Sequence, residues 1–321
     1  MIYDVIIIGA GGAGLSAALY ASRAKLKVLV LDKDEFSGSQ IVYSHEVDNY
    51  LGIPQISGLE IMQKFKEHIA NHAIGVREEK VKNLHLNNDL IQVELENGES
   101  IVTYTVILAT GAEHNQLHIP GENEFIGKGV SYCAICDGIF YANKEVAVVG
   151  GGDTALEEAL YLSNICSKVY LIHRRHELRG SQIYQERIEE KTNIELIRDT
   201  IIEKISGEHQ VNTIECKHIN LEERKSLNVE AVFIAIGMKP VTEIAGRLLE
   251  TDEEGYIKAD ESGITNIPGI FVAGDMRTKS LRQLITAVSD GANCIHSVER
   301  YLEDHPTKNR KTNKSQSLVT K

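Results

Sequence analysis

The apolar positions fall into short β-branched runs that end in glycine, each followed by a stretch with helical spacing. Residues 3–8, YDVIII, lead into Gly9, Gly11 and Gly14, and LSAALYASRAKL then repeats apolar residues at helical intervals. This predicts strand, turn, helix. The next apolar run ends at Asp32, 23 positions after Gly9. A βαβ unit that binds a dinucleotide places an acid there. The glycines let backbone N–H groups approach a pyrophosphate at the helix N-terminus, and the carboxylate takes ribose hydroxyls. Taken alone, the glycines also fit an ordinary tight turn.

The pattern recurs. Residues 145–149, EVAVV, lead into Gly150, Gly152 and Ala155, followed by the helical LEEALYLSN. The same 23-residue interval from Gly150 reaches His173, a base where the first copy has an acid. Arg174 and Arg175 follow at once and Arg179 comes shortly after. An acid would repel a ribose 2′-phosphate, whereas arginines bind it through charge-assisted hydrogen bonds, so the second nucleotide is expected to be NADPH rather than NADH. A solvated basic turn is the alternative.

Three apolar strands run into glycine: 105–111, 231–237 and 269–275. The third opens no glycine turn and helix of its own, so it completes the first domain and leaves the second as an insertion. The expected class is α/β, with two Rossmann-like nucleotide-binding domains, one inserted in the other. The outer domain takes 1–115 and 246–305, the insert 116–245, and the connections near 115–120 and 240–244 would serve as a hinge. Residues 306–321, with five Lys or Arg and no acid, read as a disordered basic tail.

Composition narrows the classes. A chain of 321 residues exceeds one ordinary domain, and 42% hydrophobic with 25% charged residues is globular. The net charge of −12 argues against a broad grip on nucleic acid or anionic lipid. The first residues have no Lys or Arg before an apolar stretch that soon breaks into glycines, so neither a signal peptide nor a membrane span is expected, and the cytoplasm is the expected compartment.

Five cysteines are too few and scattered for a disulfide framework, yet Cys133 and Cys136 stand three apart in SYCAICDGIFY. In a reducing compartment such a pair more often does chemistry than holds a fold. On the first turn of a helix the two sulfurs would share one face and close a reducible disulfide, and the helix N-terminus would favour thiolate. Asp137 would serve as proton shuttle if burial raised its pKa. Half of a zinc site and a buried structural pair are the competing readings, although no second pair accompanies the first; no metal is expected. Cys166, Cys216 and Cys294 stand singly in apolar segments and read as core.

Together, CAICDG, GGGDTALEEALYLSN, HRR followed by Arg179, and AGD followed by RQ resemble the low-molecular-weight thioredoxin reductases, over residues 3 to about 305. The resemblance implies an FAD domain carrying an inserted NADPH domain, homodimers, and thioredoxin as acceptor. It implies FAD contacts at Gly9, Gly11, Gly12, Gly14, Asp32, Gln40, Asn49, Gly111, Gly274, Asp275, Arg282 and Gln283. For NADPH it implies Gly150, Gly152, Asp153, Thr154, His173, Arg174, Arg175 and Arg179. Cys136 would face the flavin, Cys133 would attack the substrate disulfide, and Asp137 would be the acid. It further implies that the NADPH domain rotates, because nicotinamide and cysteines ride on one body yet must both reach the flavin. The sequence departs from the family at GGAG (11–14, usually GPAG), at GSQ (38–40, usually GGQ) and in its basic tail. A flavoprotein disulfide reductase with another acceptor, a ferredoxin or flavin–NADP reductase of similar fold, and a non-enzymatic redox sensor are the alternatives.

Overall fold

The computed structural model describes residues 1–34, 39–44, 47, 49–87, 89–245 and 248–306. The basic tail, apart from Pro306, and the expected boundary at Gly246 lie outside the described residues. The chain divides into two compact units. Met1–Ile41, Glu60–Glu113 and the chain from Pro240 onward form one; Val42–Leu59 and His114–Lys239 form the other. The segment Val42–Leu59, expected with the first domain, groups with the second, and no change in composition marks its ends.

In the first unit the β-branched strand Ile2–Ile8 pairs in parallel with Val28–Asp32 on one side and Ser100–Leu108 on the other. Val28–Asp32 in turn pairs with Val76–Glu78. The far edge of Ser100–Leu108 is divided. Its first half takes Leu90–Leu95, the inner strand of an antiparallel hairpin with Val81–Asn87, and its last three residues take Ile270–Val272 in parallel. The late apolar strand therefore returns to this sheet. Side chains alternate across a strand, so Ile6, Ile8, Val106 and Leu108 meet Leu84, Val93 and Leu95 of the hairpin in one core. The helices Gly12–Arg23 and Leu284–Asp304 pack together, and Gly291 permits their close approach: a Cβ there would lie 2.1 Å from the Ala13 carbonyl oxygen.

In the second unit five parallel strands run in the order Ile194–Ile197, Lys168–Ile172, Glu145–Val149, Ala231–Ile234, Val130–Ser131. The period of two separates two cores. Ala147, Val149, Ile172 and Val232 face the antiparallel sheet of Thr200–Gly207, Val211–His218 and Arg224–Asn228, through Ile202, Ile205 and Ile214. Val146, Val148, Leu171 and Phe233 face the helix Asp153–Ser163, through Ala155, Leu156, Ala159 and Leu162. Each fully buried large side chain contributes about 1.5–3 kcal/mol. Phe233 also meets the Tyr141 ring edge to face at 5.9 Å, which fixes the segment after the cysteines onto this core.

Candidate functional site

Cys133 and Cys136 are joined by a disulfide, with Cα atoms 5.3 Å apart. The expected helix is a single turn, Ala134–Asp137, continued by the 3-10 turn Gly138–Tyr141. Cys133 caps it in extended conformation, and its sulfur accepts the Cys136 N–H at 3.2 Å, a contact that favours negative charge on that sulfur. Ser131, at the end of the adjoining strand, accepts the Cys133 N–H at 3.1 Å and donates its hydroxyl to Asp137 Oδ2 at 2.6 Å. Asp137 is thereby tied to the cysteine turn through one side chain. Gly138 lets the turn settle on the helix beneath, since a Cβ would lie 2.7 Å from Leu162. Ile135, Ile139 and Phe140 are exposed around the pair.

Beneath the turn stands Glu158, buried on the helix Asp153–Ser163. Its Oε1 accepts the Ala134 N–H at 3.2 Å, and its Oε2 is buried without a hydrogen-bond partner. Burial lifts its carboxyl to about 7, and the neighbouring charges of Asp137 and Glu157 add to the rise.

The first glycine turn gathers its predicted neighbours within the first unit. Gly9 has φ +108°, and a Cβ would lie 2.3 Å from the Ala109 carbonyl oxygen, so only glycine fits. Asp32 is buried, accepts the Ala10 N–H, and takes the Asp34 N–H at 3.1 Å. It fixes the turn as well as offering oxygens to a ribose. Around the turn, Gly11 faces Ser39, next to Gln40; Gly12 faces Leu284, next to Gln283; and Gly274 packs on Ala13. Asp275 follows Gly274, and the Arg282 guanidinium stacks on Tyr256 at 3.9 Å while its Nε reaches the Asp275 carbonyl oxygen at 3.4 Å. Gln283 caps the helix Leu284–Asp304 in a reciprocal pair with Thr286. Gly111, at φ +74° with open space beside it, accepts the Val241 N–H at 3.0 Å. Asn49 is exposed and belongs to the second unit.

Two buried atoms in this cluster have no hydrogen-bond partner: Gln40 Nε2 and Asp275 Oδ1. Lys279 lies 3.9 Å from that Asp275 oxygen, too far to satisfy it. Burial raises the Asp275 pKa. A polar ligand with hydroxyl and phosphate groups fits such orphaned atoms beside an open glycine turn.

The second turn is assembled in the same way. A Cβ on Gly150 would lie 2.3 Å from the Ala235 carbonyl oxygen, whereas Gly152 faces open space. The chain after the strand returns to the turn: Arg179 and Gly180 donate their N–H groups to the Gly151 carbonyl at 2.6 and 3.0 Å, and Ser181 donates to Asp153 Oδ1 at 2.6 Å. Thr154, Arg174, Arg175 and Arg179 are exposed, and none of the three guanidinium groups is ion-paired among the described residues. His173 differs from these. It is buried with its ring against Gly151 and its Nε2 unpartnered, and burial, with the three arginines, lowers its pKa.

Ser131, Glu158 and the buried Arg277–Asp290 pair had no place in the sequence reading. Glu158 did leave a signal, for it is an acid on the apolar stripe of a helix, beside Ala155, Ala159 and Leu162. Cys166, Cys216 and Cys294 are buried thiols. No helix among the described residues is long and apolar enough to cross a membrane.

A family model for pyridine nucleotide-disulphide oxidoreductases matches residues 3–291. A thioredoxin reductase of Treponema pallidum is 42% identical over 302 residues, covering 94% of this chain and 97% of the relative. One from Bacillus subtilis is 39% identical over 304 residues, covering 94% and 96%. The solved thioredoxin reductase of Streptococcus pyogenes aligns with a TM-score of 0.90 at 39% identity, over 94% of this chain and 99% of that one.

Proposed function

Because the chain belongs to the pyridine nucleotide-disulphide oxidoreductase family, we propose that it is an NADPH-dependent, FAD-containing reductase whose acceptor is the disulfide of thioredoxin. The observation that carries this reading is the Cys133–Cys136 disulfide, held in the same unit as a glycine turn flanked by unpaired arginines.

Gly9, Gly11, Gly12, Gly14, Asp32, Gln40, Gly111, Gly274, Asp275, Arg282 and Gln283 hold FAD in this reading. The orphaned atoms of Gln40 and Asp275 support that assignment. Asn49 is proposed as a further contact. Gly150, Gly152, Asp153 and Thr154 take the NADPH pyrophosphate, and Arg174, Arg175 and Arg179 take its 2′-phosphate. His173 supports the turn from below. Bound FAD supplies acceptance of hydride from nicotinamide and delivery of two electrons to a disulfide.

The chain's own residues carry the exchange with the partner. Cys133 Sγ, as thiolate, attacks one sulfur of the partner's disulfide, and the other sulfur leaves as thiolate. Cys136 Sγ then attacks Cys133 Sγ, which restores the internal disulfide and releases the second partner sulfur. Asp137 delivers a proton to a leaving thiolate, with Ser131 holding it at the turn. The exposed Ile135, Ile139 and Phe140 offer an apolar rim suited to a protein acceptor. A homodimer in the cytoplasm completes the proposal.

The test is NADPH oxidation with purified thioredoxin, with glutathione disulfide and with an artificial one-electron acceptor. The reading requires turnover with thioredoxin that Cys133→Ser abolishes. Turnover that survives Cys133→Ser with every acceptor would make the chain a flavin reductase instead.

A further inference from the structure

Among the described residues, the one amide N–H that Glu158 accepts is that of Ala134, the residue directly after Cys133. On the buried face of Asp153–Ser163, an ionised carboxylate without a cation is costly, and the cost falls if the group holds a proton. The charged groups acting on Glu158 are Asp137 from the cysteine turn and Glu157 from its own helix, both acids. Tyr184, from the helix Gln182–Glu189, donates to Glu157 and not to Glu158. The strands beneath present Val146, Val148 and Leu171, which are apolar. Its Oε2 is buried with nothing to bond, the position in which a carboxyl hydrogen is tolerated and a negative charge is not.

We propose that Glu158 is a positioning residue for the cysteine pair whose own proton is coupled to the charge on the Cys133 sulfur. Protonated, it holds the Ala134 amide and leaves the turn free to carry a thiolate. Ionised, it holds the same amide but sets a second negative charge beneath the turn and opposes that thiolate. Two electrons and one proton convert the disulfide to one thiol and one thiolate, and Glu158 retains its proton more tightly in that state than in the oxidised one. This rests on the redox activity of Cys133–Cys136 under the proposed function and is independent of the acceptor.

The experiment needs neither NADPH nor thioredoxin. The purified chain is reduced with dithiothreitol, freed of it, and treated with iodoacetamide from pH 5 to 10. Thioether formation at Cys133, in which the thiolate displaces iodide, is followed by peptide mass spectrometry. In the wild type the rate should rise in two steps, one belonging to Glu158 and one to the thiol. Glu158→Gln keeps an acceptor for Ala134 and removes the titration. It should give one step, with alkylation near pH 8 several-fold and up to about tenfold faster than wild type, the order of effect of one nearby like charge, and the two rates should converge toward pH 10 as both thiols ionise. Glu158→Ala, which also loses the acceptor, separates positioning from charge: if the role were structural, Gln would restore the wild-type profile. Superimposable wild-type and Gln profiles, or a single step in the wild type, would overturn the proposal, and the wild-type measurement stands even if neither variant folds. Absence of NADPH turnover with thioredoxin would overturn the proposed activity and not this result.

Discussion

Arg277 grips the Asp290 carboxylate with two nitrogens, Nε at 2.9 Å from Oδ2 and Nη2 at 2.6 Å from Oδ1, in a region closed to solvent. Lys279 Nζ and the Gly274 N–H each reach the same Oδ2 at 2.9 Å. Two cations and a backbone amide therefore depend on one carboxylate, directly below the turn that carries Asp275. Asp290→Ala leaves Arg277 buried without its carboxylate and Lys279 with only the Asp275 oxygen at 3.9 Å, and breaking a buried pair in this way costs about 3–5 kcal/mol. Urea denaturation should show a loss of that order, and the variant should purify with less flavin because Gly274 has lost its acceptor. An unchanged midpoint would contradict this account of the turn.

The three guanidinium groups at the second turn, without ion pairs among the described residues, make a distinct prediction about cofactor choice. A charge-assisted hydrogen bond contributes about 1.5–3 kcal/mol, so Arg175→Ala should raise the KM for NADPH roughly 10- to 100-fold. The KM for NADH, which lacks the 2′-phosphate, should stay within about twofold, since nothing that touches it is removed. Steady-state kinetics with both nucleotides decides. An equal loss for both would mean that Arg175 supports the fold rather than the phosphate.

Gly151 stands under a different constraint from Gly9 and Gly150. A Cβ there would lie 2.4 Å from His173 Cε1 and Nδ1, so the obstruction is a ring rather than backbone. Gly151→Ala should displace that ring and cost about 1–3 kcal/mol by overpacking. Combined with His173→Ala the cost should be smaller than the sum of the two single changes, because the second removes the atom that the first collides with. Thermal unfolding of the four proteins gives the coupling, and strict additivity would refute the contact.

Features written in neighbouring residues were legible in the sequence: the glycine turns after Ile8 and Val149, the acid at Asp32, the arginines after His173, and the spacing of Cys133 and Cys136. Ile270–Val272 was legible as a returning strand because it opens no nucleotide-binding turn and helix of its own. What was hidden depends on choices of distant partner, which no local period records. Glu158 meets Ala134 across 24 positions and Arg277 meets Asp290 across 13. Val42–Leu59 groups with the second unit without any boundary signal. The helix expected at the cysteines is a single turn, and the chain continues from Gly138 as a 3-10 turn packed against Leu162.

Glu158 also predicts a pH dependence of stability that can be measured without any redox chemistry. Burial places its carboxyl at about 7 in the folded chain, above the value of about 4.3 for an unfolded glutamate. The folded state therefore binds the proton more tightly than the unfolded one. Its stabilising effect is complete below the unfolded value, is lost as pH rises toward 7, and is absent above it. Across that window the wild type should lose stability relative to Glu158→Gln, which cannot titrate, by up to roughly 3 kcal/mol. Urea denaturation of the oxidised proteins at pH 5, 6, 7 and 8 measures the difference directly. The difference between the two proteins should change between pH 5 and 7 and level off by pH 8. A constant difference at every pH would mean that Glu158 stays ionised when buried, and a cation or water would then have to be found beside Oε2.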